Sequence, residues 1–217
     1  CMPNQPLRFV TAASLFDGHD AALNIMRRIL QSQGAEVIHL GHDRAVHDIV
    51  DAALAEDAHG IAVSSYQGGH MEFFGYMVDR LKAAGRPDIK VFGGGGGTIT
   101  DKEIAALHDR GVERLYSVED GRQMGLVGMI QDMLKRAERP SAGLPNGFST
   151  PNDLARTLTA IEEAVDVDRL RSMVAEAAQA PVPILGSTGV GGAGKSSLTD
   201  ELIRRLLHTF PDRRFAV

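Results

Sequence analysis

From Arg8 to Glu138, short apolar runs alternate with longer amphipathic segments five times over, the pattern that the strands and helices of a doubly wound sheet leave in a sequence. Runs at Arg8–Ala13, Glu36–His39, Gly60–Ser64, Lys90–Phe92 and Arg114–Tyr116 predict strands. Segments at Ala21–Ser32, Val46–Glu56, Met71–Ala84, Asp101–Arg110 and Arg122–Arg136 predict helices. In the first helix, Leu23, Ile25, Met26, Ile29 and Leu30 fall on one side at helical spacing, and Asn24, Arg27, Arg28 and Gln31 on the other. Gly34 follows the last periodic residue, as a left-handed terminator does.

The alternation breaks at 139–147, where two prolines, two glycines, a serine and an asparagine read as a linker. Thr150-Pro151-Asn152-Asp153 then offers an N-cap, a proline at the first helical position and an acid at the third, and a second helix is expected over Asp168–Gln179 before Pro181. The expected organisation is an α/β domain at 1–138, a linker with two helices at 139–180, and a further module from 181 to 217.

Composition narrows the function classes. The 217 residues are 43% hydrophobic and 24% charged with a net charge of -5, and no basic block provides the footprint of a nucleic-acid binder. No apolar run approaches the roughly 18 residues of a membrane span, and no signal-peptide pattern is present. Cys1 precedes Met2 and reads as an added residue, neither nucleophile nor half of a disulfide, which fits a reducing cytoplasm.

Candidate chemistry gathers at the carboxyl ends of the expected strands. Asp17-Gly18-His19 follows the first, Ser64-Ser65-Tyr66 ends the third, and Gly93 to Gly97 follow the fourth. In the flavodoxin-like order 2-1-3-4-5 the first and third strands flank the switch point, so all three stretches converge on one crevice. Five glycines leave that rim bare of side chains, open to a large flat ligand or a long chain. A metal-bound histidine usually gives its other N–H to a carboxylate, and Asp17 stands two residues from His19 for that purpose. No nearby Cys, His or acid completes a ligand set, so a metal would arrive already coordinated within a cofactor, which favours a macrocycle. Taken singly, His19 is a loop histidine, Ser64 a strand-end cap and the glycines a turn; their coincidence at one crevice favours a site. His39, His42, His47, His59, His108 and His208 read as structural or surface residues, while His70 opens a helix beside the slot as a cap or a lining residue.

These pieces resemble the cobalamin-binding domains of adenosylcobalamin-dependent mutases and methionine synthase, whose pattern is Asp-x-His-x-x-Gly, then Ser-x-Leu, then Gly-Gly. The resemblance covers about residues 8 to 138 and implies that His19 replaces the cofactor's dimethylbenzimidazole as lower cobalt ligand, tuned by Asp17. It further implies that Ser64, Ser65, Gly93 and Gly94 line the slot for the displaced nucleotide tail. Ala22 departs from the family's glycine and Tyr66 from its leucine, adding a methyl at one point and bulk with a hydroxyl at the other.

A second constellation, Gly189-Val190-Gly191-Gly192-Ala193-Gly194-Lys195-Ser196-Ser197, fits a phosphate-binding loop. Its expected flanks are a strand at Val182–Leu185 and a helix at Ser197–Leu207. Gly189, Gly191, Gly192, Ala193 and Gly194 would present N–H groups to phosphate, Lys195 would reach the terminal phosphates, and Ser196 would ligate magnesium with Ser197 beside it. The sequence stops at Val217 before any magnesium-binding aspartate or base-reading loop, so this part reads as the start of a P-loop α/β G domain.

Residues 185–202 resemble the opening of the G-protein chaperones of such mutases, which implies GTP with Mg2+. The whole arrangement is similar to the fused isobutyryl-CoA mutase family, which implies adenosylcobalamin, an acyl-CoA substrate rearranged by a radical route in a barrel absent from these residues, GTPase activity and a homo-oligomer. No catalytic residue is expected within these 217 positions. A methyl-carrying corrinoid protein would share the first constellation but has no reason to carry Lys195-Ser196. A receiver-type signalling domain would need an acid at the end of the third strand, where Ser64 stands.

Overall fold

The computed structural model describes residues 6–15, 20–66, 68–140, 143–179 and 182–217. Strands β1 (Arg8–Ser14), β2 (Glu36–Arg44), β3 (Gly60–Ser64), β4 (Lys90–Gly94) and β5 (Arg114–Tyr116) form one parallel sheet in the order β2-β1-β3-β4-β5. Helices α1 (Asp20–Ser32), α2 (Val46–Ala55), α3 (His70–Ala83), α4 (Asp101–Arg110) and α5 (Val118–Ala137) alternate with the strands, followed by α6 (Pro151–Glu162), α7 (Val167–Ala177) and α8 (Lys195–Thr209). The expected flavodoxin-like α/β topology is therefore the observed one. No helix among the described residues is long and apolar enough to cross a membrane.

Strand alternation sends successive side chains to opposite faces, and each face has its own core. Val10, Ile61, Val63 and Val91 meet α2, α3 and α4 on one side, while Phe9, Ala62, Phe92 and Tyr116 meet Leu30 of α1 and Ile130 and Met133 of α5 on the other. The central strands β1 and β3 are buried on both faces, which is why their sequences read as nearly continuous apolar runs.

Element edges moved where capping chemistry or pairing outweighed periodicity. Helix α5 starts at Val118 because Ser117 accepts from Asp120 N at 3.1 Å while Asp120 Oδ2 accepts from Ser117 N at 2.8 Å. That helix is interrupted at Gly125, whose φ of 65° and ψ of 172° suit glycine alone. Strand β2 continues to Arg44 through register shifts against β1.

At the amino ends of β3 and β4 lies a buried ionic clasp. Arg86 donates to Asp57 Oδ1 at 2.7 Å, to Asp88 at 2.9 Å and to Asn152 Oδ1 of α6 at 2.6 Å. Arg139, just past α5, donates to the same Asp57 oxygen at 3.1 Å and approaches Asp88 Oδ2 at 3.0 Å. Helix α6 packs against α2, its capping box built by Thr150 and Asp153.

Beside the clasp, His59 Nδ1 accepts from Arg8 N at 3.1 Å, and burial, seconded by the Arg139 charge, lowers its pKa from 6.5 to about 4. The unfolded chain binds that proton more readily than the folded one, so the stability carried by neutral His59 is complete above pH 6.5 and is lost as pH falls toward 4. We expect acidification across that window to cost about 1–2 kcal/mol after solvent screening of this partly accessible ring. Urea midpoints measured against pH should fall less steeply for His59→Gln, which keeps an acceptor but has no proton to take up; parallel curves would remove His59 from the account.

The chain divides into two compact units, 1–173 and 174–217, with the division falling inside α7. In the second unit the strand expected over Val182–Leu185 is not formed. A strand needs a neighbour to satisfy its ladder, no described segment pairs with this one, and Ile184 is 96% exposed. Helix α8 is formed and begins two residues before the expected Ser197.

Candidate functional site

A cavity of about 340 Å³ opens at the carboxyl ends of β3 and β4, between the sheet and helices α1 and α5. Its walls are apolar side chains, among them Leu23, Met26, Leu126, Met129 and Met133, and its rim is the backbone of Gly93 to Gly96. The register sets Ser64 beside Gly94 and Gly94 beside Tyr116, all on the face that carries the cavity.

The five-glycine run serves two purposes. A side chain at Gly93 would strike Phe74 and Leu115, so that position is glycine for the core on the α3 and α4 side, although its backbone borders the cavity. Gly94 points the other way, and a Cβ there would meet only the Tyr116 carbonyl, at an ordinary 3.4 Å. Its missing side chain is what keeps the slot open. A Cβ at Gly95 would collide with the Ser65 carbonyl, while Gly96, with φ of 58°, lies under the Tyr66 ring.

Ser64 is 9% exposed, and its buried Oγ has no hydrogen-bond partner among the described residues. A buried hydroxyl left unpaired costs free energy, so an orphan lining a cavity is the mark of a group waiting for a ligand. Ser65 behaves differently: its N donates to Gly94 O at 2.8 Å and its Oγ accepts from Ser14 Oγ at 3.2 Å, which ties β1, β3 and β4 together at the rim. Tyr66 stands at the mouth, 37% exposed. Asp17 and His19 lie outside the described residues and follow β1 in the chain.

Sequence reasoning missed Tyr116 and the α5 methionines. The Tyr116 hydroxyl donates to Asp132 Oδ2 at 2.9 Å, and burial followed by that carboxylate raises its pKa well above the ordinary phenol value. The available signal was the parity of the fifth strand, which puts Tyr116 on the same face as Phe92 and Gly94.

His70 is buried at the start of α3 with Nε2 3.1 Å from Glu103 Oε1, outside the cavity lining. Two further histidines serve structure: His39 Nδ1 meets Thr11 Oγ1 at 3.0 Å, and His108 Nε2 accepts from Leu115 N at 3.0 Å. Among the described residues no cluster of His, Cys, Asp and Glu could hold a metal ion by itself.

Residues 7–115 match the B12 binding domain family. The chain belongs to that family. This B12-binding domain and the residues after it are 52% identical to the fused isobutyryl-CoA mutase of Geobacillus kaustophilus, over 99% of this chain and 21% of that protein. They are 57% identical to the fused isobutyryl-CoA mutase of Cupriavidus metallidurans, over 94% of this chain and 19% of that protein. The chain thus spans about a fifth of the length of these curated relatives. A solved cobalamin-binding protein from Desulfitobacterium hafniense shares the fold of the B12-binding domain, with a TM-score of 0.51 at 24% identity, over 61% of this chain and 60% of that one.

In the second unit Lys195 Nζ donates to Gly189 O and Val190 O, each at 2.9 Å, holding its ammonium inside the glycine loop. Gly192 and Gly194 have φ of 77° and 78°, a turn that only glycine takes without strain. Gly191, Ala193, Ser196 and Ser197 are exposed at the loop and the first turn of α8.

Proposed function

We propose that the first unit binds cobalamin with its nucleotide tail released from cobalt and lodged in the slot beneath α5, while His19, oriented by Asp17, takes the vacated lower position on cobalt. The observation that carries this reading is the apolar slot with one unpartnered hydroxyl, Ser64 Oγ, at the end of β3. Such a site fits a flat aromatic base that needs one hydrogen bond and otherwise seeks burial. Gly94 would leave room for the base and Ser64 would donate to its free ring nitrogen, while the Ser14–Ser65 hydrogen bond holds the rim in place. Gly93 contributes backbone to the same rim.

Bound as adenosylcobalamin, the group supplies homolytic cleavage of a cobalt–carbon bond for carbon-skeleton rearrangement. The names and identities of the relatives support a whole protein that interconverts isobutyryl-CoA and n-butyryl-CoA, with residues 1–138 as cobalamin domain, 139–180 as helical linker and 181–217 as the start of a GTP-binding chaperone module. There Gly189, Gly191, Gly192, Ala193 and Gly194 would cradle phosphates. Lys195 would turn from the loop carbonyls to the terminal phosphates, and Ser196 would ligate Mg2+ with Ser197 beside it. The full protein works in the cytoplasm as a homo-oligomer on this reading.

Titration of the chain with aquocobalamin tests the centre of the proposal. The expected product has the absorbance of a histidine-ligated, base-released corrinoid, and His19→Ala abolishes that signature. An identical spectrum in wild type and variant overturns the assignment of His19.

A further inference from the structure

We infer that the slot selects among corrinoids by the base on the nucleotide tail, taking a benzimidazole and discriminating against a purine. The inference rests on the tail-in-slot reading above and goes beyond it to the chemistry of the walls.

Among the described residues, four side chains lining the slot carry hydroxyls. Tyr116 gives its proton to Asp132, and Ser117 gives its own to Asp120 at 3.0 Å while accepting from Asp120 N. Tyr66 stands at the mouth. Ser64 Oγ alone is buried and unpartnered among them. Two of the rim carbonyls are engaged as well: Gly94 O accepts from Ser65 N, and Gly95 O accepts from Thr98 Oγ1 at 2.6 Å. The remaining side chains of the lining are hydrocarbon and thioether, and a thioether is a weak acceptor.

Dimethylbenzimidazole released from cobalt presents one free ring nitrogen and two methyl groups. One hydroxyl satisfies the first, and methionine and leucine walls accommodate the second. Adenine brings two amine N–H donors and several ring nitrogens to the same space. A single hydroxyl cannot satisfy that set, and each buried donor left without an acceptor weakens binding. Specificity here comes from what the walls do not offer. Met129 is the lining residue best placed to alter it: it is half-buried, and Gln matches its length while supplying an acceptor.

Three probes on the full chain decide the question in equilibrium binding titrations: cobalamin, its adenine-tailed counterpart, and cobinamide, which has no nucleotide tail. Benzimidazole is the stronger cobalt ligand, so release of the tail favours the adenine form, and a preference the other way reads the slot itself. We expect cobalamin to bind about tenfold or more tightly than the adenine form, and Met129→Gln to narrow that gap while Met129→Leu leaves it unchanged. Equal or tighter binding of the adenine form, with both above cobinamide, overturns the selectivity and leaves the slot reading intact. A gap that Met129→Gln does not alter overturns its assignment to the walls. Cobinamide binding as tightly as cobalamin overturns the tail-in-slot reading itself.

Discussion

Gly94→Val is expected to fold as the parent does and to lose cobalamin binding by about a hundredfold or more, the scale of several kcal/mol of forfeited contact. The position is in a strand, where valine is well tolerated, and a Cβ there meets one carbonyl oxygen at an ordinary distance. Beyond Cβ the valine methyls project into the space between Ser64 and Tyr116 that the tail is proposed to fill. Gly93→Val is the matched control with the opposite outcome. Its side chain is driven into Phe74 and Leu115, both fully buried, and overpacking of that kind costs about 1–3 kcal/mol. Urea melts and cobalamin titrations on the two variants separate a slot from a core. If Gly94→Val binds cobalamin at the parent's affinity, the tail lies elsewhere.

Asp57→Asn should produce the largest loss of stability, about 3 kcal/mol. Asp57 is 2% exposed and accepts from both Arg86 and Arg139, whose side chains are nearly as buried. Removing its charge leaves two buried guanidinium groups facing Asp88, and an uncompensated buried charge costs more than an intact pair contributes. Asparagine is the informative replacement because the residue sits at φ of 47°, which Asn tolerates and alanine does not, so backbone strain stays out of the measurement. The clasp lies at the amino ends of β3 and β4, opposite the slot, so cobalamin affinity in the folded variant is expected to match the parent's. A urea midpoint within experimental error of the parent's would mean that solvent reaches these charges.

Much of this was legible in the chain. The order of strands and helices followed from apolar runs alternating with amphipathic segments, and the third strand, the fourth helix and the fifth strand fall on the residues that periodicity gave them. The crevice followed from the strand order, since Ser64 and Gly94 end neighbouring strands. The Ser117–Asp120 box was present in the sequence but lay outside the periodic pattern, so α5 begins earlier than its apolar spacing suggested. The apolar run at Val182–Leu185 reads as a strand and is not one here, because extended backbone becomes a strand only against a partner.

Sequence alone determined the α/β class, the succession of strands and helices and the candidate loops, because apolar runs and a helical period of 3.6 are local properties that a chain writes residue by residue. Tertiary structure decided which of five adjacent glycines opens a slot and which yields to a core. It also decided that Ser64 keeps a free hydroxyl while Ser65 does not, and that Asp57, Arg86 and Arg139, far apart in the chain, share one buried clasp. Those outcomes depend on strand register and on what the facing helix brings within reach, and neither is encoded in any one stretch of residues.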